Sequence, residues 1–170
     1  MRSWLKLVVL AIAAVVVAQL LVQGSLRATV PGQTPPLALP TLAGSAVDLA
    51  ALRGRVVLVN FWATWCGPCK AELPALAAYF EAQRDRCFDL LGVVEESDQA
   101  EVERVGRTLP YPVLLDGRAE VARAWKVQGY PTSFLVDAEG KVRRAFTGQV
   151  SMAELERAVA PLRPASCAAR

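Results

Sequence analysis

The 170-residue chain contains no histidine and only two methionines. Without imidazole it lacks the usual general base, the commonest zinc or copper ligand and every catalytic triad built on histidine. Its 19 basic and 16 acidic residues are scattered, with no lysine or arginine block that could follow a phosphate backbone. Nothing in it is typical of a nicotinamide or flavin site. We therefore expect no metal, no cofactor and no nucleic-acid partner, which leaves cysteine chemistry.

Long apolar runs are equally scarce, apart from one near the N-terminus. Leu7 to Val22 is uncharged, and with the preceding residues it approaches the roughly 20 residues that a membrane-spanning helix needs. Basic residues before this run favour a cytoplasmic N-terminus, so the rest of the chain would lie outside the cytoplasm. Small residues near its end also suit a cleaved signal peptide. We expect residues 1–24 to be a single-pass inner-membrane anchor or a signal peptide, with the catalytic domain facing the periplasm or cell exterior.

The remainder has the composition of one soluble domain. Residues 25–36 become rich in proline toward their end and are expected to form a linker. We expect residues 37–163 to form a single folded domain and residues 164–170 to form a short C-terminal tail.

The domain alternates strand and helix patterns. Gly44 and Ser45 predict the turn of an N-terminal β-hairpin, and Asp48 can cap a brief helix after it. Arg55 to Phe61 is almost continuously β-branched or apolar, which is typical of a strand inside a parallel sheet. The later pattern predicts helices at 67–84, 98–109, 118–125 and from Ser151 onward, and strands at 87–94, 111–115, 129–137 and 141–148. The order indicates an α/β fold, with a mixed central β-sheet flanked by helices.

The sequence Cys66-Gly67-Pro68-Cys69 follows the predicted central strand and opens the next helix. The two sulfurs can meet there in a small ring, so a reversible disulfide is possible. Unpaired N–H groups and the helix dipole lower the pKa of Cys66, which makes it the attacking thiolate. Cys69, deeper in the helix, is expected to resolve the mixed disulfide. Zinc binding is disfavoured because a second pair of ligands is missing, and a purely structural disulfide leaves the aromatic flanks of the loop unexplained.

The stretch NFWATWCGPCKAELP resembles the thioredoxin superfamily, and closely the membrane-anchored bacterial TlpA/ResA family of disulfide reductases. The resemblance runs from Leu37 to about Leu162 and implies a thioredoxin fold. It also implies that Pro131 is a cis-proline facing the two sulfurs, so that the Tyr130 backbone can pair with a substrate peptide. The residues expected to bind substrate are Trp65, Gly67, Pro68, Tyr130 and Thr132.

Glu72 stands three residues after Cys69 on the same helical face. A carboxylate there can accept or relay the proton of Cys69, and the resemblance gives a glutamate at this place such a role. A solvated glutamate on the helix surface is the alternative, and spacing alone does not separate the two. At the end of the central strand, Asn60 stands where true thioredoxins have a buried acid.

Two further cysteines remain once Cys66 is assigned to Cys69. In an oxidising compartment Cys87 would pair with Cys167, and the structural disulfide would hold the tail to the domain. Alternatively, Cys87 is a buried strand cysteine and Cys167 a free thiol.

The Gly-Pro pair between the cysteines favours a reducing couple. The leading hypothesis is a reductase that keeps exported protein thiols reduced, such as haem-attachment cysteines or those of a copper-site protein, with electrons from an upstream thiol donor in the membrane. A thiol oxidase or isomerase of protein folding is the alternative. It is less favoured because Cys69 and Pro131 lie too close in sequence for a large inserted helical domain. A copper-binding chaperone is disfavoured by the missing histidine and scarce methionine.

Overall fold

The computed structural model describes residues 34–95 and 97–167. The anchor or signal peptide expected at residues 1–24, and most of the expected linker, lie outside the described residues. Within the described ranges, no helix is long and apolar enough to cross a membrane.

A five-stranded sheet forms the centre of the domain, with the strand order β5-β4-β3-β6-β7. Its strands are β3 (Val56–Trp62), β4 (Phe88–Glu95), β5 (Val113–Asp116), β6 (Thr132–Val136) and β7 (Val142–Thr147). Strand β4 runs parallel to β3 and β5, whereas β6 runs antiparallel to β3 and β7. The predicted mixed sheet, with the apolar run after Gly54 at its centre, is confirmed.

Strand β3 is buried along its whole length because both faces of the sheet are covered. Val57, Val59 and Phe61 face one apolar cluster, whereas Val56 and Leu58 face the other. The alternation of side chains across a strand therefore places apolar residues of β3 on both faces of the sheet, with Asn60 as the polar exception. This central strand ends at Trp62, and Ala63, Thr64 and Trp65 lead from it to Cys66.

The helices of the described chain are α1 (Gly67–Gln83), α2 (Gln99–Gly106), α3 (Glu120–Ala124) and α4 (Met152–Val159), with a 3₁₀ turn (Ala160–Leu162) after α4. Ser151 caps α4 as predicted, because its hydroxyl accepts the N–H of Glu154 at 3.2 Å. Helix α2 ends at Gly106 rather than at the predicted Leu109. A Cβ at position 106 would lie 2.7 Å from Leu42 Cδ2, so a larger residue here would force the Leu42 side chain to move. The next strand correspondingly begins at Val113, later than predicted.

The N-terminal hairpin consists of β1 (Ala38–Pro40) and β2 (Ala46–Asp48), which pair antiparallel as predicted. The Asp48 carboxylate accepts the N–H of Ala50 at 2.8 Å and so caps the 3₁₀ helix Leu49–Leu52. Between the strands, the Leu42 N–H donates to the Val113 carbonyl at 2.8 Å. This contact docks the hairpin turn against the outer edge of β5.

The end of the sheet opposite the redox cysteines carries a second disulfide, between Cys87 and Cys167. Cys87 precedes β4, at the end of the sheet where β3 begins, whereas Cys66 follows the other end of β3. The length of β3 therefore separates the two disulfides by about 20 Å. Nearby, the Arg163 guanidinium donates to both oxygens of Glu156, at 2.9 and 3.0 Å. The segment after α4 is thus held to the domain up to Cys167.

Candidate active site

The redox loop lies between the carboxyl end of β3 and the start of α1. Cys66 is the N-cap residue of α1, and its sulfur accepts the N–H of Cys69 at 3.2 Å. The two sulfurs are bonded to each other. They therefore lie at the positive end of the helix dipole, beside N–H groups that have no partner within the helix, which is an arrangement that stabilises a thiolate at Cys66 after reduction.

Apolar residues surround the disulfide. Both cysteines are buried and belong to a cluster with Trp62, Leu73 and Val94. Trp62 is fully buried, whereas Trp65 exposes 63% of its surface. Of the two tryptophans that flank the loop, Trp62 packs beneath it and Trp65 forms an apolar surface next to it.

The loop before β6 lies against the redox loop. The Tyr130–Pro131 peptide bond is cis. The Tyr130 ring packs edge-on against Trp65, with 5.5 Å between the ring centroids. Thr132 is buried, and its hydroxyl donates to the Gly129 carbonyl at 2.7 Å, so this side chain holds the proline loop together from inside. The structure thus brings Trp65 and the Tyr130–Pro131 peptide together beside the redox loop.

Glu72 lies on the inner side of α1, one turn after Cys69, and is 5% exposed. The alternative of a solvated surface glutamate is therefore wrong. One carboxylate oxygen, Oε1, accepts the N–H of Val150 at 3.2 Å. Burial raises the pKa of Glu72 above its ordinary value of 4.5, and the Val150 hydrogen bond offsets part of that rise. A buried carboxyl group with a raised pKa next to a resolving cysteine is suited to exchange a proton with it.

A third loop, which sequence reasoning missed, joins these parts. We call residues 148–150 the clasp loop. The Gly148 N–H donates to the Pro131 carbonyl at 2.9 Å. The Gln149 side chain donates to the Pro68 carbonyl at 3.0 Å, and the next N–H is the one that Glu72 accepts. The clasp loop therefore contacts the loop that carries Pro131, the redox loop and the buried Glu72 carboxylate. In the sequence, only Gly148 at the end of the β7 pattern indicated a turn here.

Comparisons with known proteins agree with this geometry. The profile of the redoxin family matches residues 28–160. The chain belongs to the redoxin family. This redoxin is 30% identical to the thiol-disulfide oxidoreductase ResA of Geobacillus kaustophilus (strain HTA426). The alignment extends over 132 residues and covers 76% of each chain. The predicted resemblance to the TlpA/ResA family is confirmed.

Solved structures show the same fold. A thiol:disulfide interchange protein of the thioredoxin family from Chlorobium tepidum TLS superposes with a TM-score of 0.71 at 30% identity, covering 80% of this redoxin and 99% of that chain. StoA from Bacillus subtilis superposes with a TM-score of 0.64 at 26% identity, covering 75% and 98%. The redoxin has the predicted thioredoxin fold, and it is a thiol-disulfide oxidoreductase with a CxxC redox motif.

The redoxin places neutral groups where a thioredoxin has its buried acid. The side-chain amide of Asn60 donates to the Ser133 hydroxyl at 2.9 Å, deep between β3 and β6. Glu72 places a buried carboxyl group on the inner side of α1. Within residues 34–95 and 97–167, no group of three or more cysteine, aspartate or glutamate side chains could hold a metal ion.

Proposed function

We propose that this redoxin is an extracytoplasmic disulfide reductase, tethered to the inner membrane by residues 1–24, that acts on exported proteins through a Cys66–Cys69 dithiol/disulfide cycle. The observation that carries the proposal is the redox loop itself. Its disulfide lies at the N-terminus of α1 with Gly67 and Pro68 as exposed spacers, beside an exposed Trp65 and a cis-proline loop.

The first chemical step uses Cys66. In the reduced protein its thiolate attacks one sulfur of a substrate disulfide, and the other substrate sulfur leaves as a thiolate. The N–H groups at the start of α1, which include the Cys69 N–H now bound to the Cys66 sulfur, stabilise the attacking thiolate. The product of this step is a mixed disulfide between the substrate and Cys66.

The second step uses Cys69 and Glu72. The Cys69 thiol gives its proton to the Glu72 carboxylate, and the resulting thiolate attacks the Cys66 sulfur. The substrate leaves with its second sulfur reduced, and the Cys66–Cys69 disulfide forms. Two electrons have then passed from the redoxin to the substrate, and an upstream thiol donor in the membrane must return them.

Substrate recognition is assigned to the exposed surface around the disulfide. Trp65 offers an apolar face, and the Tyr130 backbone next to the cis-proline can pair with an extended peptide that carries the disulfide. Exported proteins with paired cysteines, such as those that bind haem or a copper centre, fit this chemistry.

The second disulfide supports the extracytoplasmic location. Structural disulfides persist in oxidising compartments and are rare in the bacterial cytosol. Cys87 and Cys167 form such a bond here, far from the redox loop. Their distance also makes exchange with the catalytic pair within one molecule impossible without unfolding.

The direction of electron flow is tested by the redox potential of the Cys66–Cys69 pair. The full-length chain with Cys87→Ala and Cys167→Ala is equilibrated in graded dithiothreitol and glutathione buffers, so that only the catalytic pair titrates, and its thiols are counted by alkylation and mass spectrometry. A potential near about −270 mV supports the reductase. A potential near about −120 mV contradicts it and makes the protein an oxidant of folding chains.

A further inference from the structure

The peptide group between Pro68 and Cys69 is hydrogen-bonded at both of its ends. Its N–H, on Cys69, donates to the Cys66 sulfur at 3.2 Å. Its carbonyl oxygen, on Pro68, accepts the side-chain amide of Gln149 at 3.0 Å. A carbonyl oxygen has two lone pairs, so it can accept the glutamine in addition to an N–H of the helix. A continuous hydrogen-bond chain therefore leads from Gln149 through one peptide group to the sulfur of the attacking cysteine.

Backbone hydrogen bonds on both sides of Gln149 hold the clasp loop in place. The Gly148 N–H donates to the Pro131 carbonyl at 2.9 Å, and the Val150 N–H donates to Glu72 at 3.2 Å. Gly148 has a φ of 80°, a conformation that favours glycine, and Val150 is buried. The residues before and after Gln149 are therefore fixed, although the glutamine itself is exposed.

Hydrogen bonds that share a peptide group polarise each other. A donor at the carbonyl oxygen draws electron density from the amide nitrogen, because the two atoms are joined by resonance, and this makes the N–H a stronger donor. Here the strengthened donor is the Cys69 N–H, and its acceptor is the Cys66 sulfur. An N–H donor favours the charged form of a sulfur over the thiol. Gln149 therefore acts on the Cys66 thiolate without touching it.

Several charged side chains lie near the redox loop outside this hydrogen-bond chain. Lys70 of α1 lies 4.0 Å from Glu101 of α2, and Glu72 and Glu95 are buried on α1 and at the end of β4. Strand β3 and the clasp loop contribute no acidic or basic residue, and the cis-proline loop contributes only the Tyr130 phenol. Substitutions at position 149 leave all of these groups in place.

We propose that Gln149 is a positioning residue of the redox site, whose amide polarises the Pro68–Cys69 peptide group and so stabilises the Cys66 thiolate. This inference rests on the attack by Cys66 proposed above. The glutamine neither gains nor loses a proton, because the proton of the Cys66 thiol passes to solvent when the thiolate forms. Without the Gln149 donor, a smaller fraction of Cys66 is thiolate at a given pH below its pKa.

The test measures the pKa of Cys66 in the reduced full-length chain. Alkylation by iodoacetamide is followed against pH, and the modified cysteine is located by fragmentation mass spectrometry. Gln149→Met keeps the length of the side chain but removes the donor, so the midpoint should rise by about 0.3 to 0.5 pH unit, and alkylation below the midpoint should slow about two- to threefold. Gln149→Glu removes the donor and adds negative charge, so it should raise the midpoint at least as far. Gln99→Met, at an exposed position of α2, is the matched control and should leave the midpoint unchanged.

A second readout shows whether the peptide group itself responds. In the chain labelled with carbon-13 and nitrogen-15, the Pro68 carbonyl carbon and the Cys69 amide proton should both shift upfield in Gln149→Met and stay in place in Gln99→Met. Signals that do not move in Gln149→Met, an unchanged Cys66 midpoint, or an equal rise in Gln99→Met overturns the role of Gln149 alone. Alkylation of Cys69 before Cys66 in the parent chain overturns the first step of the proposed function and this inference with it.

Discussion

The disulfide between Cys87 and Cys167 is expected to supply a large share of the stability of this small domain. The two residues are 80 positions apart, so the bond closes a long loop in the unfolded chain. The loop-entropy relation gives about 15 cal/mol/K for that length, or about 4.5 kcal/mol at 25 °C. Substituting Cys167→Ser keeps the contacts of the folded chain nearly intact and should lower the free energy of unfolding by that amount.

The assay must keep the catalytic disulfide out of the measurement. We would place Cys167→Ser in a chain that already carries Cys66→Ala and Cys69→Ala, so that Cys87 and Cys167 form the only bond that can respond to reductant. Guanidinium chloride unfolding of parent and variant is followed with and without dithiothreitol. With reductant the two chains should unfold at the same midpoint, because the parent has then lost the same bond.

A difference below about 1 kcal/mol without reductant would refute the reasoning. It would mean that the ion pairs of Arg163 with Glu156 already hold this segment in place, or that the unfolded chain is too compact for loop closure to matter.

Two other predictions concern the groups beneath the redox loop. Because burial raises the pKa of Glu72 in the folded chain above 4.5, the folded state holds that proton more tightly, and the resulting stability is present below pH 4.5 and lost as the pH rises through the folded pKa. Glu72→Gln should therefore match the parent at low pH and be more stable than the parent at higher pH, in urea unfolding at several pH values; an equal effect at every pH would contradict this. Gln149→Met removes the donor to the Pro68 carbonyl and should lower kcat/KM for a disulfide peptide about two- to fivefold in steady-state kinetics. Gln99→Met, on the exposed face of α2, is the control and should leave kcat/KM unchanged.

The parts of the site that the sequence predicts are those whose chemistry lies in neighbouring residues. Cys66 and Cys69 share one turn of α1, and the apolar run before them could only be a buried strand. Pro131 could be placed because it precedes another such strand within a recognisable motif. In each case a few consecutive residues contain both the reactive group and the element that positions it.

The rest of the site depends on residues that meet only through the tertiary fold. Gln149 reaches Pro68 across 81 residues of sequence, and the Val150 N–H reaches Glu72 across 78. An exposed glutamine and a backbone N–H carry no pattern that marks them in advance.

The partner of Cys87 was undecided for a similar reason. Counting cysteines allows the bond with Cys167, but only the return of α4 onto α1 brings the two sulfurs together. The choice between an anchored and a cleaved N-terminus stays a prediction, because residues 1–24 lie outside the described part of the chain.

The spacing of the two disulfides also orders their formation during biosynthesis. A chain exported N-terminus first, as the proposed location implies, brings Cys66 and Cys69 to the oxidising side of the membrane within a few residues of each other, so that they can be oxidised as a pair at once. Cys87 must wait until Cys167, which lies 80 positions further along the chain, has followed. During that interval its thiol is the nascent chain's only cysteine without its final partner, and the newly closed Cys66–Cys69 ring is the disulfide nearest to it in sequence. Folding of β3 places the two sites at opposite ends of the sheet and so removes Cys87 from the reach of that ring.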